Sequence, residues 1–183
     1  MKIEQMKKIF FITSTLIVSF FTITFYFTSC QPDPCITRHI ECQNGGTCKS
    51  KSGYCICASG YEGDSCQFLV NKKFNGTYKG VVAMLIDNTT NFNNDDTLIL
   101  LADSILKYKV SISSVRTPTL IQTANALANT LTINYQLLAG FEYSGVGSLN
   151  NDTVLTLSVK ADSVVNGIVA KTITYTFVGF KYE

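Results

Sequence analysis

Six cysteines crowded into a short stretch constrain this chain more than any other feature. They follow the spacing Cys35-x6-Cys42-x5-Cys48-x6-Cys55-x-Cys57-x8-Cys66, and the only other cysteine is Cys30. None occurs after Cys66. A segment of about 30 residues cannot bury enough apolar surface to fold alone, so covalent staples must replace a core. Each bridge contributes typically ~2–4 kcal/mol. A zinc site fits poorly, because zinc ligands come in pairs two to four residues apart and Cys55-x-Cys57 is too tight. Six cysteines allow fifteen pairings, and spacing does not choose among them. Asn44-Gly45-Gly46, Gly60 and Gly63 supply residues that tolerate the positive φ of tight turns.

The spacing, together with Asn44-Gly45-Gly46-Thr47 before the third cysteine and Gly60-Tyr61-Glu62-Gly63 between the last two, resembles the EGF-like family over residues 35–66. The resemblance implies the pairs Cys35–Cys48, Cys42–Cys55 and Cys57–Cys66. It also implies a role in protein contacts or spacing rather than chemistry. Calcium-binding members of the family carry acidic residues just before the first cysteine. Here that stretch is Gln31-Pro32-Asp33-Pro34, and the loop before the fourth cysteine holds Lys49 and Lys51. One carboxylate does not build a cage of six to eight oxygens, so no calcium and no other metal is expected. His39, the only histidine, reads as a solvated loop residue.

Residues 1–8 are short and basic, and residues 9–28 carry no charge. That order is an export signal over residues 1–29. Phe27-Thr28-Ser29-Cys30 resembles the lipobox of bacterial lipoproteins, which implies cleavage before Cys30 and lipid on its thiol. The same residues also read as a retained apolar helix, since twenty residues at ~1.5 Å each just span a bilayer. Either way the chain is held at a membrane, in the cell envelope, facing the periplasm or the exterior. Residues 30–34, with Pro32 and Pro34, form an extended linker. Of fifteen Lys and Arg, three precede residue 30, and of thirteen Asp and Glu, one does, leaving twelve of each. A neutral mature chain gives no electrostatic basis for binding nucleic acid.

Residues 70–183 contain no Cys or His, and alternation is their main signal. Leu131, Ile133, Tyr135 and Leu137 alternate with Thr132, Asn134 and Gln136, and Ile173, Tyr175 and Phe177 alternate with threonines. Leu155, Leu157 and Val159 share a face, as do Leu106, Tyr108, Val110 and Ile112. With residues 77–82, 98–101, 118–126 and 141–149 this gives about eight strands, and residues 88–96 are expected to be a turn. Only residues 123–128 look ill-suited to a strand. The fold class is therefore all-β: the small disulfide-bonded module, then an antiparallel barrel or sandwich. Leu106, Ile133, Tyr135, Leu157, Ile173 and Phe177 are the expected core. Phe74-Asn75-Gly76-Thr77-Tyr78 ahead of these strands is similar to small lipocalin-like barrels attached to bacterial lipoproteins.

The β domain offers no base–nucleophile pair. Asp95-Asp96 is the nearest thing to a glycosidase pair, but adjacent carboxylates in a loop are badly placed to bracket a sugar. No catalytic site and no cofactor are expected. Binding or adhesion through a protein or glycan partner is the leading expectation, and a small apolar ligand carried inside the β domain is the next. A third is a structural stalk. An interior cavity of a few hundred Å³ favours the carrier, whereas an exposed aromatic patch of Tyr54, Tyr61 and Phe68 favours a partner surface.

Overall fold

The computed structural model describes residues 10–19, 32–87 and 89–182, apart from the side chains of residues 90–92. Residues 10–19 are helical with exposed side chains. Among the described residues no helix is long and apolar enough to cross a membrane. Cys30 and the expected cleavage point lie outside the described residues.

The cysteine module begins with one helical turn, Pro34–Thr37, capped by Asp33, whose Oδ1 accepts from the Cys35 N–H at 2.8 Å. Pro34 suits that first position because its missing N–H would have no partner there anyway. Strands β1 (Thr47–Lys49) and β2 (Tyr54–Ile56) pair antiparallel, with Cys48 opposite Cys55. β3 (Tyr61–Glu62) pairs with β4 (Phe68–Leu69), which already lies beyond the last cysteine. The disulfides are Cys35–Cys48, Cys42–Cys55 and Cys57–Cys66.

Eight strands follow: β5 (Gly76–Ile86), β6 (Thr89–Ala102), β7 (Lys109–Ser114), β8 (Gln122–Leu127), β9 (Thr130–Leu138), β10 (Phe141–Asn150), β11 (Val154–Val165) and β12 (Ile168–Tyr182). Each pairs antiparallel with the next, and β12 returns to pair with β5. The fold is thus a closed up-and-down barrel, not a sandwich, and closure leaves no sheet edge unpaired. Asn166 and Gly167, at φ 53° and 77°, make the two-residue turn between β11 and β12.

Several strand limits differ from the sequence expectation. Residues 88–96 fall largely in β6, because β5 offers an unbroken line of backbone partners from Gly76 to Ile86. The polar side chains that looked like turn residues alternate there instead, with Asp95 exposed and Asp96 half-buried. Residues 122–127 are strand β8, whose small Ala124 and Ala126 fill inward positions. Leu106 lies before β7, not in it, because the Asp103 carboxylate accepts from the N–H groups of Ile105 and Leu106 and folds a turn. It is therefore partly exposed.

Tyr135 is the other misplaced core residue, at 64% exposed. Tyr143 of β10 pairs with Gln136 of β9 but Gly145 pairs with Ile133, so an extra residue bulges out of β9. One added residue swaps the two faces of a strand. Leu131 and Ile133 therefore point inward, while Tyr135 and Leu137 point outward. The Gln136 amide bridges the gap, accepting from the Thr123 N–H at 2.9 Å and donating to the Thr123 carbonyl at 2.7 Å.

A 3₁₀ helix, Val70–Phe74, closes one end of the barrel. Val70 and Phe74 join the apolar core with Leu100, Val110, Leu131 and Leu155. Asn71 is fully buried, and its Nδ2 donates to the carbonyls of Asp103 and Lys109 at 2.9 and 3.0 Å, tying the helix to the β6–β7 turn. Lys73 Nζ donates to Asn129 Oδ1 at 2.8 Å, and Lys181 Nζ donates to the Lys73 carbonyl at 3.0 Å. The helix is thus held from three sides of the rim.

Tyr78 stands on this plug and donates to the Phe74 carbonyl at 3.0 Å. Burial, with a smaller contribution from the Asp152 charge, pushes its phenol up to about 12. The folded state favours the neutral form, so this contribution is complete below pH 10 and fades as pH rises from about 10 to 12. Its size is at most about 2–3 kcal/mol. Urea unfolding at pH 8 and pH 11.5 should show the loss, and Tyr78→Phe should reduce it to the share left by Tyr143 and Tyr175, whose phenols burial also raises. An equal pH dependence in that variant would assign the loss to another group.

Candidate barrel cavity

The half of the barrel away from the plug is not filled. Tyr143, Gly145, Gly147 and Leu149 are the inward positions along β10; the β11 backbone lies close over Gly145 and the Leu157 side chain over Gly147, so of these four Tyr143 is the one that borders the open space. On β12 a Cβ at Gly179 would lie 2.3 Å from Phe177 Cζ. Its absence lets the Phe177 ring lie flat against the wall. What remains is a cavity of about 310 Å³.

Its walls are mostly apolar: Val82 and Met84 from β5, Leu98 from β6, Ile112 from β7, Leu157 and Val159 from β11 and Phe177 from β12. Leu120, Arg116 and Thr117 reach it from the β7–β8 loop. Asn94, Asp96, Ser114, Gln122, Tyr143 and Tyr175 add polar atoms. The Asp96 carboxylate is already engaged, accepting from the Thr97 N–H at 2.7 Å and from Ser114 Oγ at 2.8 Å. Ser114 Oγ in turn accepts from the Arg116 N–H at 3.0 Å, which fixes the root of the loop.

Tyr143 and Tyr175 differ from Asp96. Among the described residues neither hydroxyl has a hydrogen-bond partner. Burial pushes both phenols above the usual tyrosine value, and the neighbouring Tyr143 adds to the shift at Tyr175. Both therefore stay neutral at ordinary pH and can each donate one hydrogen bond. Sequence alternation puts Tyr175 on the face of Ile173 and Phe177, but it does not show that this side chain borders empty space. Tyr143 carries no signal beyond inward alternation, Asn94 and Asp96 fall in the stretch expected to be a turn, and Arg116 carries none.

The other predicted positions are scattered. Asp95 and Asp96 are consecutive on β6 and face opposite sides of the sheet, so they cannot flank one bond. Tyr61 and Phe68 sit on opposite faces of the β3–β4 hairpin, because Tyr61 pairs with Leu69 and Phe68 with Glu62. With Tyr54 on a separate hairpin, no single aromatic face forms. Tyr54 OH instead accepts from Lys49 Nζ at 3.1 Å, and that hydrogen bond lowers its pKa. His39 is exposed at φ 49° in the turn after the first helix. Asp33, the one candidate calcium carboxylate, serves as the helix cap described above. Among the described residues no three His, Cys, Asp or Glu side chains cluster as metal ligands.

The family model for the EGF-like domain matches residues 35–66, the stretch that holds all three disulfides. Residues 35–66 form an EGF-like domain. No curated protein matches the chain. Disulfides of this density belong to an oxidising, extracellular or secreted setting.

The EGF-like domain docks on the plugged end of the barrel, remote from the cavity. The Val70 N–H donates to the Gly60 carbonyl at 3.0 Å, and Glu62 pairs with Lys73 at 2.5 Å. Gly60 has φ 90°, and a Cβ there would lie 2.7 Å from Lys107 Cβ, so only glycine allows this approach.

Proposed function

We propose that this chain is a non-catalytic, membrane-anchored binding protein outside the cytoplasm, whose barrel holds a small, mostly apolar ligand. An EGF-like domain joined to a β-barrel fits a binding role. The cavity of about 310 Å³ carries the choice of a small ligand over a protein or glycan partner. It falls at the low end of the ~300–1,000 Å³ of small-molecule sites, and its walls are apolar with a few polar groups, as such sites require. The eight-strand meander closing on itself supports the lipocalin-like reading. The EGF-like domain acts as a spacer at the closed end, between barrel and anchor.

Methionine offers a clean test. The chain has three, Met1, Met6 and Met84, and only Met84 lies beyond the signal segment, on the cavity wall. The full chain, labelled with ¹³C-methyl methionine and reconstituted in phospholipid nanodiscs, is titrated with 2-methylnaphthalene. A saturable shift of the Met84 methyl resonance is expected. A linear or absent response both to this probe and to 2-naphthylmethanol would remove the carrier reading.

The anchor is proposed to be lipid on Cys30 with residues 1–29 removed. Intact-mass measurement of the native membrane form should show a diacylglycerol-modified chain beginning at Cys30, and a chain still carrying Met1 would refute it. The EGF-like domain is proposed to ignore calcium, since Asp33 is spent on its cap. Its amide spectrum should not change up to millimolar calcium, the range of extracellular sites. Saturable shifts at Asp33 and Cys35 would reveal a site.

A further inference from the structure

The cavity has an asymmetry that an oily ligand alone does not explain. Val82, Leu157 and Phe177 lie on one rung of the β11–β12–β5 sheet and form an apolar floor. Tyr175 stands on the rung above, opposite Val159, and Tyr143 stands one rung higher on β10, opposite Ala161. β11 places only Val159 and Ala161 between the two tyrosines, so both hydroxyls belong to one neighbourhood. Both hydroxyls remain accessible from the cavity, so water or a ligand serves as their partner.

No charged side chain stands on the rungs of the two tyrosines from β10 through β11 and β12 to β5. Asp96 and Arg116 are the charged side chains on the cavity wall. The Asp96 carboxylate is engaged by Thr97 and Ser114, and Arg116 lies in the exposed β7–β8 loop, where it lines a second, outer recess together with Asp95 and Asp96. A charged head group would lose its hydration at the tyrosines without gaining a counter-ion, which is unfavourable. A hydroxyl or carbonyl suits two phenols, because its oxygen accepts from one or both.

We propose that the ligand is an uncharged amphiphile, whose hydroxyl or carbonyl head hydrogen-bonds Tyr143 and Tyr175 while its apolar body lies on the floor of Val82, Leu157 and Phe177. This rests on the reading of the cavity as a ligand site. A site built to hydrogen-bond a head group discriminates strongly against analogues that lack it.

The test uses the same full-length, methionine-labelled protein in nanodiscs at pH 7, with four probes sharing one ring system. These are 2-naphthylmethanol, 2-naphthoate, 2-naphthylmethylammonium and the headless 2-methylnaphthalene. The alcohol should bind roughly tenfold or more tighter than each of the other three. Tyr143→Phe and Tyr175→Phe should each reduce its affinity about tenfold and leave 2-methylnaphthalene unchanged. Both variants keep the ring and remove a hydroxyl that holds no other part of the protein, so folding is preserved. Naphthoate binding as tightly as the alcohol, with the advantage lost in Arg116→Gln, would overturn the proposal in favour of an acid. Equal affinity for the alcohol and 2-methylnaphthalene, or unchanged alcohol binding in both tyrosine variants, would overturn it while leaving the carrier reading intact. Absence of saturable binding by 2-methylnaphthalene and the alcohol alike would overturn both.

Discussion

Reductant is expected to unfold residues 35–66 and leave the β signal of the barrel in place at room temperature. The apolar core begins at Val70 and includes no residue of the EGF-like domain. That domain is held by Cys35–Cys48, Cys42–Cys55 and Cys57–Cys66, each worth typically ~2–4 kcal/mol. Without them, a chain this short has too little buried surface to stay ordered. The barrel contains no cysteine and buries residues such as Leu100, Leu131, Leu155 and Phe177, each contributing ~1.5–3 kcal/mol. Among the described residues, the two are joined by the Gly60–Val70 backbone bond, the Glu62–Lys73 pair, the Gly60–Lys107 contact and the β3–β4 pairing that leads into the plug helix. A partly exposed ion pair adds no more than about 1 kcal/mol. Melting the full chain with and without reductant, followed by circular dichroism in the β band, should therefore shift the barrel transition by only a few degrees. Collapse of the β signal on reduction would mean that the barrel depends on the bridges.

Phe74→Ala should cost the barrel about 3–5 kcal/mol, the range for emptying a large aromatic site in a core. Phe74 is fully buried, and its helix is the element that seals the barrel end. The residue also sits where several restraints meet, since its carbonyl accepts from Tyr78 and Asn71 ties the same helix to the β6–β7 turn. Collapse of the helix into the void is therefore restricted, which places the cost towards the upper part of that range. Urea denaturation of the variant should move the midpoint with little change in slope. A loss below about 1 kcal/mol would show that the barrel closes without its plug.

Both outcomes turn on features with different visibility in the sequence. The cysteine spacing and the glycines between them mark the limits of the EGF-like domain, because staples must replace a core in so short a segment. Alternation identifies Ile133, Leu157, Ile173 and Phe177 as inward residues, because side-chain direction along a strand is a local property. The failures at Leu106 and Tyr135 have local-looking signals but distant causes. Leu106 is diverted by a carboxylate cap, and Tyr135 is turned outward by a bulge that exists only because β9 must match β10. Residues 88–96 resemble a turn by composition, yet β5 supplies the backbone partners that make most of them strand β6. The cavity was the least legible feature. Val82, Met84, Tyr143 and Tyr175 are ordinary strand residues until closure of β12 on β5 brings their inward faces around one space. Whether an inward side chain meets another side chain or an opening is decided by the opposite wall of the barrel, which no local stretch of sequence contains.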